Sequence, residues 1–202
     1  MKHNAKNTLT PLATAAALAI SSAQAANLTW SEGAGNWQNG AAGNFGVNWN
    51  NGNPDSAQFD GASNAAFTVT VSGTIEILNL HFNTTGTQGA RYLISGGTLN
   101  FAAGGLISNN DNRYNQTITS TITGSPDVET KDFGVGNQYR GLVFAPTGGA
   151  TQTLGNILNP NNTGTVSNHS GSNTDKAGVY LSGTTVGNTV ASISYAGGDR
   201  YG

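Results

Sequence analysis

Cysteine is absent from the 202 residues, so no disulfide, thiolate nucleophile or cysteine-bound metal is open to this chain. Charge is scarce: Asp, Glu, Lys and Arg together make up 9%, against roughly 25% in an average globular protein. The 8 basic residues are outnumbered by 10 acidic ones and form no patch. Binding to a polyphosphate backbone therefore has no electrostatic basis, and no nucleic acid is expected as a partner. Proline is limited to 5 residues, and both that and the low charge argue against a disordered chain. No run of the chain is apolar over the roughly 20 residues that a membrane-spanning helix needs. Phosphate-loop, Gly-x-Ser-x-Gly and His-Glu-x-x-His patterns are missing too, and no cofactor is implied.

Glycine (29 residues), asparagine, threonine and serine fill the space. The chain opens with Lys2, His3 and Lys6, continues through an apolar stretch from Leu12 to Ile20, and reaches Ala23-Gln24-Ala25. A basic start, a short apolar stretch and a small-x-small triplet are the parts of a secretory signal peptide. Residues 1–25 are therefore expected to be removed, leaving an exported protein that begins at Ala26.

All three tryptophans, Trp30, Trp37 and Trp49, fall in the next segment, 26–64. It shows little periodicity and is expected to form an irregular cap with a few short strands, its aromatic rings covering the end of a core. The same rings could instead make a sugar-binding platform, since aromatic faces stack on sugars. Near its end, Pro54 sets a turn and Asp55 is expected to hydrogen-bond the backbone just beyond it.

From residue 65 the period becomes 2. Phe67, Val69 and Val71 alternate with threonine, as in a strand with one buried face. After Gly73 the alternation runs through Ile75 and Ile77, then shifts phase to Leu78, Leu80 and Phe82, which predicts a bulge or a corner. One phrase occurs three times: Val71-Ser72-Gly73-Thr74, Ile94-Ser95-Gly96-Gly97-Thr98 and Leu181-Ser182-Gly183-Thr184. Gly73 and Gly96 are 23 residues apart, a distance that suits one turn of a β-solenoid. Short strands, glycine corners and asparagine turns predict an all-β, right-handed parallel β-helix over 65–202, with a β-sandwich as the alternative. Stacked coils bring like positions to about 4.8 Å, where Asn and Thr can bond from coil to coil and like charges would repel. Residues 124–140 carry Asp127, Glu129, Lys131, Asp132 and Arg140 and are expected to project as a charged loop.

Candidate chemistry is thin. His81 and His169 stand apart from one another and read as structural or solvated. The carboxylates are scattered, and only 127–132 brings several close in sequence, as a sugar-cleaving enzyme would need. No catalytic, metal or cofactor-binding residue is assigned.

The Trp-rich start, the stretch Asn53-Pro54-Asp55-Ser56-Ala57-Gln58-Phe59-Asp60 and the phrase Ser95-Gly96-Gly97-Thr98-Leu99-Asn100-Phe101 resemble bacterial proteins with autotransporter-associated β-strand repeats. The likeness covers about residues 27–125, at the N-terminal part of the passenger region. It implies an exported β-helical protein at the cell surface or outer membrane, adhesin-like, and defines no catalytic residue. Such proteins end in a barrel or sorting segment, so the solenoid is expected to be truncated at Gly202. The function expected is structural or adhesive, without catalysis, toward extracellular or cell-surface glycans or proteins. Self-association through an open solenoid end is also expected. The alternatives are a carbohydrate-binding module and a carbohydrate-active β-helix enzyme.

Overall fold

The computed structural model describes residues 25–84, 89–110, 114–130, 140–159, 165–167, 177–181 and 188–195. The expected leader up to residue 24, His169, residues 131–139 and the Ser182-Gly183-Thr184 part of the third phrase lie outside this set. Among the described residues, strands follow one another as β1 (Asn27–Trp30), β2 (Gly35–Gln38), β3 (Ser56–Phe59), β4 (Ala66–Phe82) and β5 (Arg91–Asn109). Then come β6 (Asn115–Ile118), β7 (Thr121–Thr123), β8 (Asp127–Thr130), β9 (Arg140–Phe144), β10 (Gln152–Asn159), β11 (Thr165–Ser167), β12 (Ala177–Leu181) and β13 (Asn188–Tyr195). No helix among the described residues is long and apolar enough to cross a membrane.

Among the described residues every strand pair is parallel. Parallel neighbours cannot be joined by a tight hairpin, so the chain must travel round before each strand meets the last. The result is a right-handed parallel β-helix of about 5 turns. Each full turn contributes to three ladders. In the first, Val69, Ile94, Ile118, Phe144 and Leu181 pair in succession. In the second, Ile75, Leu99 and Ile122 do so. The third runs Leu28, Ala57, Leu80, Ile107, Val128 and Ile157. Most of these side chains are fully buried and form one continuous apolar core. Alternation with period 2 is what sends them inward while their neighbours face out.

The long strands β4 and β5 each run through two corners. Register shifts fall between Val71 and Thr74 and between Ile77 and Asn79, the second where the apolar phase changes. The glycine phrase marks the first of these corners. Gly73, Gly96 and Gly97 have φ of 73°, 76° and 32°, a region costly for residues with a Cβ. A Cβ on Gly97 would also meet Val71 Cγ1 at 2.7 Å, so this corner packs against the coil before it. Leu181 pairs with Phe144, which brings the start of the third phrase to the same edge of the helix. The coil step is not constant at 23 residues, however. It is 24 from Glu76 to Asn100, 23 from Asn100 to Thr123, and 27 from His81 to Ser108.

Where corners interrupt the ladders, side chains replace the missing backbone partners. Asn51 donates through Nδ2 to Thr74 O (2.8 Å) and accepts from Glu76 N (3.0 Å), as a paired strand residue would. The fully buried Gln116 accepts from Tyr92 N (2.7 Å) and donates to Ala90 O (2.9 Å). Gln152, also fully buried, donates to Ile118 O and Ser120 O, each at 2.9 Å. Buried backbone groups require partners, and these amides supply them.

Two expectations change. The Trp-rich segment has the few short strands expected of it, but they do more than cap: β1 pairs with β3, and both β2 and β3 pair with β4. It makes the first turn of the helix and also covers its end. Within the stretch 124–140, expected to project as a charged loop, Asp127–Thr130 instead form β8, a strand of the third ladder, and Arg140 opens β9. Val128 is fully buried while Asp127 and Glu129 are half-buried on either side, an alternation too short to stand out beside the charges.

Candidate functional site

The three tryptophans meet in one cluster. Trp37 lies edge-on to Trp49 with centroids 4.9 Å apart, Phe45 packs on Trp30 at 5.0 Å, and Phe59 stacks on Trp30 at 5.5 Å. The 3-10 turn Gly43–Phe45 carries Phe45 onto the tryptophans. Trp30, Trp37 and Trp49 are 0%, 1% and 0% exposed. A sugar platform needs open ring faces, and here the faces are spent on one another. Trp30 Nε1 donates to Gly33 O (3.0 Å) and Trp49 Nε1 to Glu76 O (3.2 Å), while the buried Trp37 Nε1 has no partner. Further along, the Tyr92 hydroxyl donates to Asp60 O at 2.5 Å. Burial pushes the Tyr92 phenol well above its ordinary pKa, and the Glu32 and Asp60 carboxylates add to the effect.

The described carboxylates do not converge; most tie neighbouring segments or coils together. Glu32 accepts from Ser63 N (3.1 Å) and from the Ser63 hydroxyl. Asp55 accepts from Ala26 N (2.7 Å), a partner far upstream, where a local turn bond was expected. Asp127 accepts from Asn156 N (2.7 Å). Glu76 accepts from Asn100 Nδ2 (2.7 Å), and Asn100 Oδ1 in turn accepts from the Thr123 hydroxyl (2.6 Å). This last series is a polar ladder across three coils.

A second outward row holds the one histidine that can be described. Gln58, His81, Ser108 and Glu129 occupy successive positions of the third ladder. His81 Nδ1 and Ser108 Oγ are 2.7 Å apart. Burial lowers the pKa of His81, with the Glu129 carboxylate opposing the shift, so the imidazole is neutral at physiological pH. A neutral imidazole beside a hydroxyl is a base beside a potential nucleophile. The order of the row works against that use. The carboxylate adjoins Ser108, whereas a base is oriented by an acid on its far side. On that side Gln58 turns its amide to Asp60, at 3.0 Å from each oxygen. The row reads as another ladder. His81 looked isolated in the sequence because only the coil register brings Ser108 and Glu129 beside it.

The glycine corner leaves an open groove of about 440 Å³ lined by Gly96, Gly97, Thr119, Thr121, Thr147 and Gly149 among others. Its walls are backbone and hydroxyl groups from successive coils. No family model, curated protein or solved structure matches the chain.

Proposed function

We propose that the protein is an exported, surface-displayed β-helical scaffold of the passenger type, structural or adhesive in role and not catalytic. The observation that carries this reading is the outward surface of the coils. Glu76, Asn100 and Thr123, then His81 and Ser108, then Asn83 and Asn110 are bonded to one another up the stack. Polar side chains held this way stiffen a rod and leave few groups free for chemistry. The leader-like N-terminus and the likeness to autotransporter-associated repeat proteins agree with export and display. The partners would be extracellular or cell-surface glycans or proteins, with the hydroxyl-lined groove as a surface able to meet a sugar.

The test is to express the full chain in a bacterium with an outer membrane and follow it by fractionation and by protease treatment of intact cells. Recovery in the medium, or at the surface in a protease-sensitive form, is expected. Retention in the cytoplasm would overturn export. Steady polysaccharide turnover by the purified protein would overturn the non-catalytic role.

A further inference from the structure

The first residue after the expected cleavage point is already held by a carboxylate. Ala26 N donates to Asp55 Oδ1 at 2.7 Å, and Ala26 O accepts from Ser56 N at 2.8 Å. These two contacts continue directly into the β1–β3 ladder, whose first pair is Asn27 with Ser56. Asp55 is itself locked into the next coil, since its carbonyl accepts from Leu78 N at 2.9 Å. The residue is only 8% exposed. Among the described residues, its carboxylate accepts from Ala26 N and, at 3.4 Å, from Asn53 Nδ2. While Ala26 remains inside a peptide bond, both are neutral. A largely buried carboxylate served by neutral donors is poorly compensated, and a cation in the same place would serve it better.

We infer that removal of the leader after Ala25 supplies that cation: the new α-ammonium of Ala26 pairs with Asp55 and locks the first turn of the helix. The inference rests on the export reading for the position of the cut. Hydrolysis breaks the Ala25–Ala26 C–N bond. Water gives its oxygen to the Ala25 carbonyl carbon, and the released amine, protonated at neutral pH, keeps the position Ala26 N already holds. Processing thus strengthens an existing contact by adding charge to it, without moving the chain. The processed protein is more stable than the same chain with leader residues still attached.

The experiment compares a chain beginning at Ala26, released from a removable leader, with one that retains Ser22–Ala25, each with Asp55 and with Asp55→Asn. The folding equilibrium constant from urea unfolding is expected to favour the Ala26 chain by about tenfold, equivalent to about one pKa unit. Asp55→Asn should remove the difference. Equal stability of the two chains with Asp55 in place overturns the pairing. Because Asp55→Asn could itself prevent folding, the amine is also titrated by NMR in the unsubstituted Ala26 chain. An amine pKa above the ordinary range of about 7.7–8.0 supports the pairing, and an ordinary one overturns it. The N-terminus of the chain recovered from exporting cells tests the cut separately. A start other than Ala26 would refute the position of cleavage and leave the comparison of purified chains intact.

Discussion

Replacing Gln116 by leucine probes how the corners of the helix are held. Gln116 pairs in register with Leu142, and Leu142 with Val179, so an amide stands in an otherwise apolar row. Its side chain serves two backbone groups, Tyr92 N and Ala90 O, at the start of β5. Leucine has nearly the same size and would fill the space. Two buried backbone groups would then lose their partner, at about 1–3 kcal/mol each. The extra apolar burial offsets part of this, about 1.5–3 kcal/mol at most. A net loss of about 2 kcal/mol is expected, which for a chain of this size lowers Tm by about 4–8 °C. Urea unfolding followed by circular dichroism should show a lower midpoint with an unchanged slope, the mark of altered stability without altered compactness. A stabilised Gln116→Leu protein, or one changed by less than about 0.5 kcal/mol, would refute the reasoning, because that is the range of an inconsequential surface substitution.

Other substitutions separate neighbouring effects. Trp30→Phe gives up the bond to Gly33 O, whereas Trp37→Phe removes an indole N–H that has no partner. Chemical denaturation should therefore find Trp30→Phe the more costly by about 1 kcal/mol, and the reverse order would count against the burial described for the cluster. Gly97→Ala meets Val71, while Gly73→Ala meets nothing within 4 Å and pays only for its φ. The first should cost about 1–3 kcal/mol more than the second in the same assay. For His81 the folded pKa lies below the unfolded value of 6.5, chiefly through burial. The unfolded chain then binds more protons in the window between the two values, so the stability tied to neutral His81 is full above 6.5 and is lost as pH falls through that window. Unfolding curves between pH 7 and 5 should show this loss, and His81→Asn should flatten it relative to the parent.

Much of the architecture was legible because a half-buried strand writes its burial into period 2. Val69 and Val71, Ile75 and Ile77, and Leu99 and Phe101 announce strands, and the glycines with positive φ announce corners. The phase change after Ile77 also marked a true register shift. What could not be read was register between coils, because insertions at the corners vary the step. Without it, Glu76, Asn100 and Thr123 are three unrelated polar residues, and His81 has no neighbours. Gln116 and Gln152 were invisible as core residues because their role is to satisfy backbone, and no side-chain pattern records that. β8 was hidden by its brevity, with one buried valine between two acids. The tryptophans were recognised as the contents of one end of the core or of a binding face, and only their burial distinguishes the two.

The coil register is the foundation of the ladders, the corner amides and the proposed role as a rigid scaffold. With no native cysteine to interfere, it can be tested by engineered disulfides. Adjacent parallel strands lie about 4.8 Å apart, within the Cα separation of roughly 4.4–6.8 Å that a disulfide accepts. Glu76 pairs with Asn100, and Asn100 with Thr123. The double variant Glu76→Cys with Asn100→Cys should therefore form an intramolecular bond under mild oxidation, while Glu76→Cys with Thr123→Cys, two coils apart, should not. Efficient bonding of the second pair, or none in the first, would contradict the stacked-coil structure.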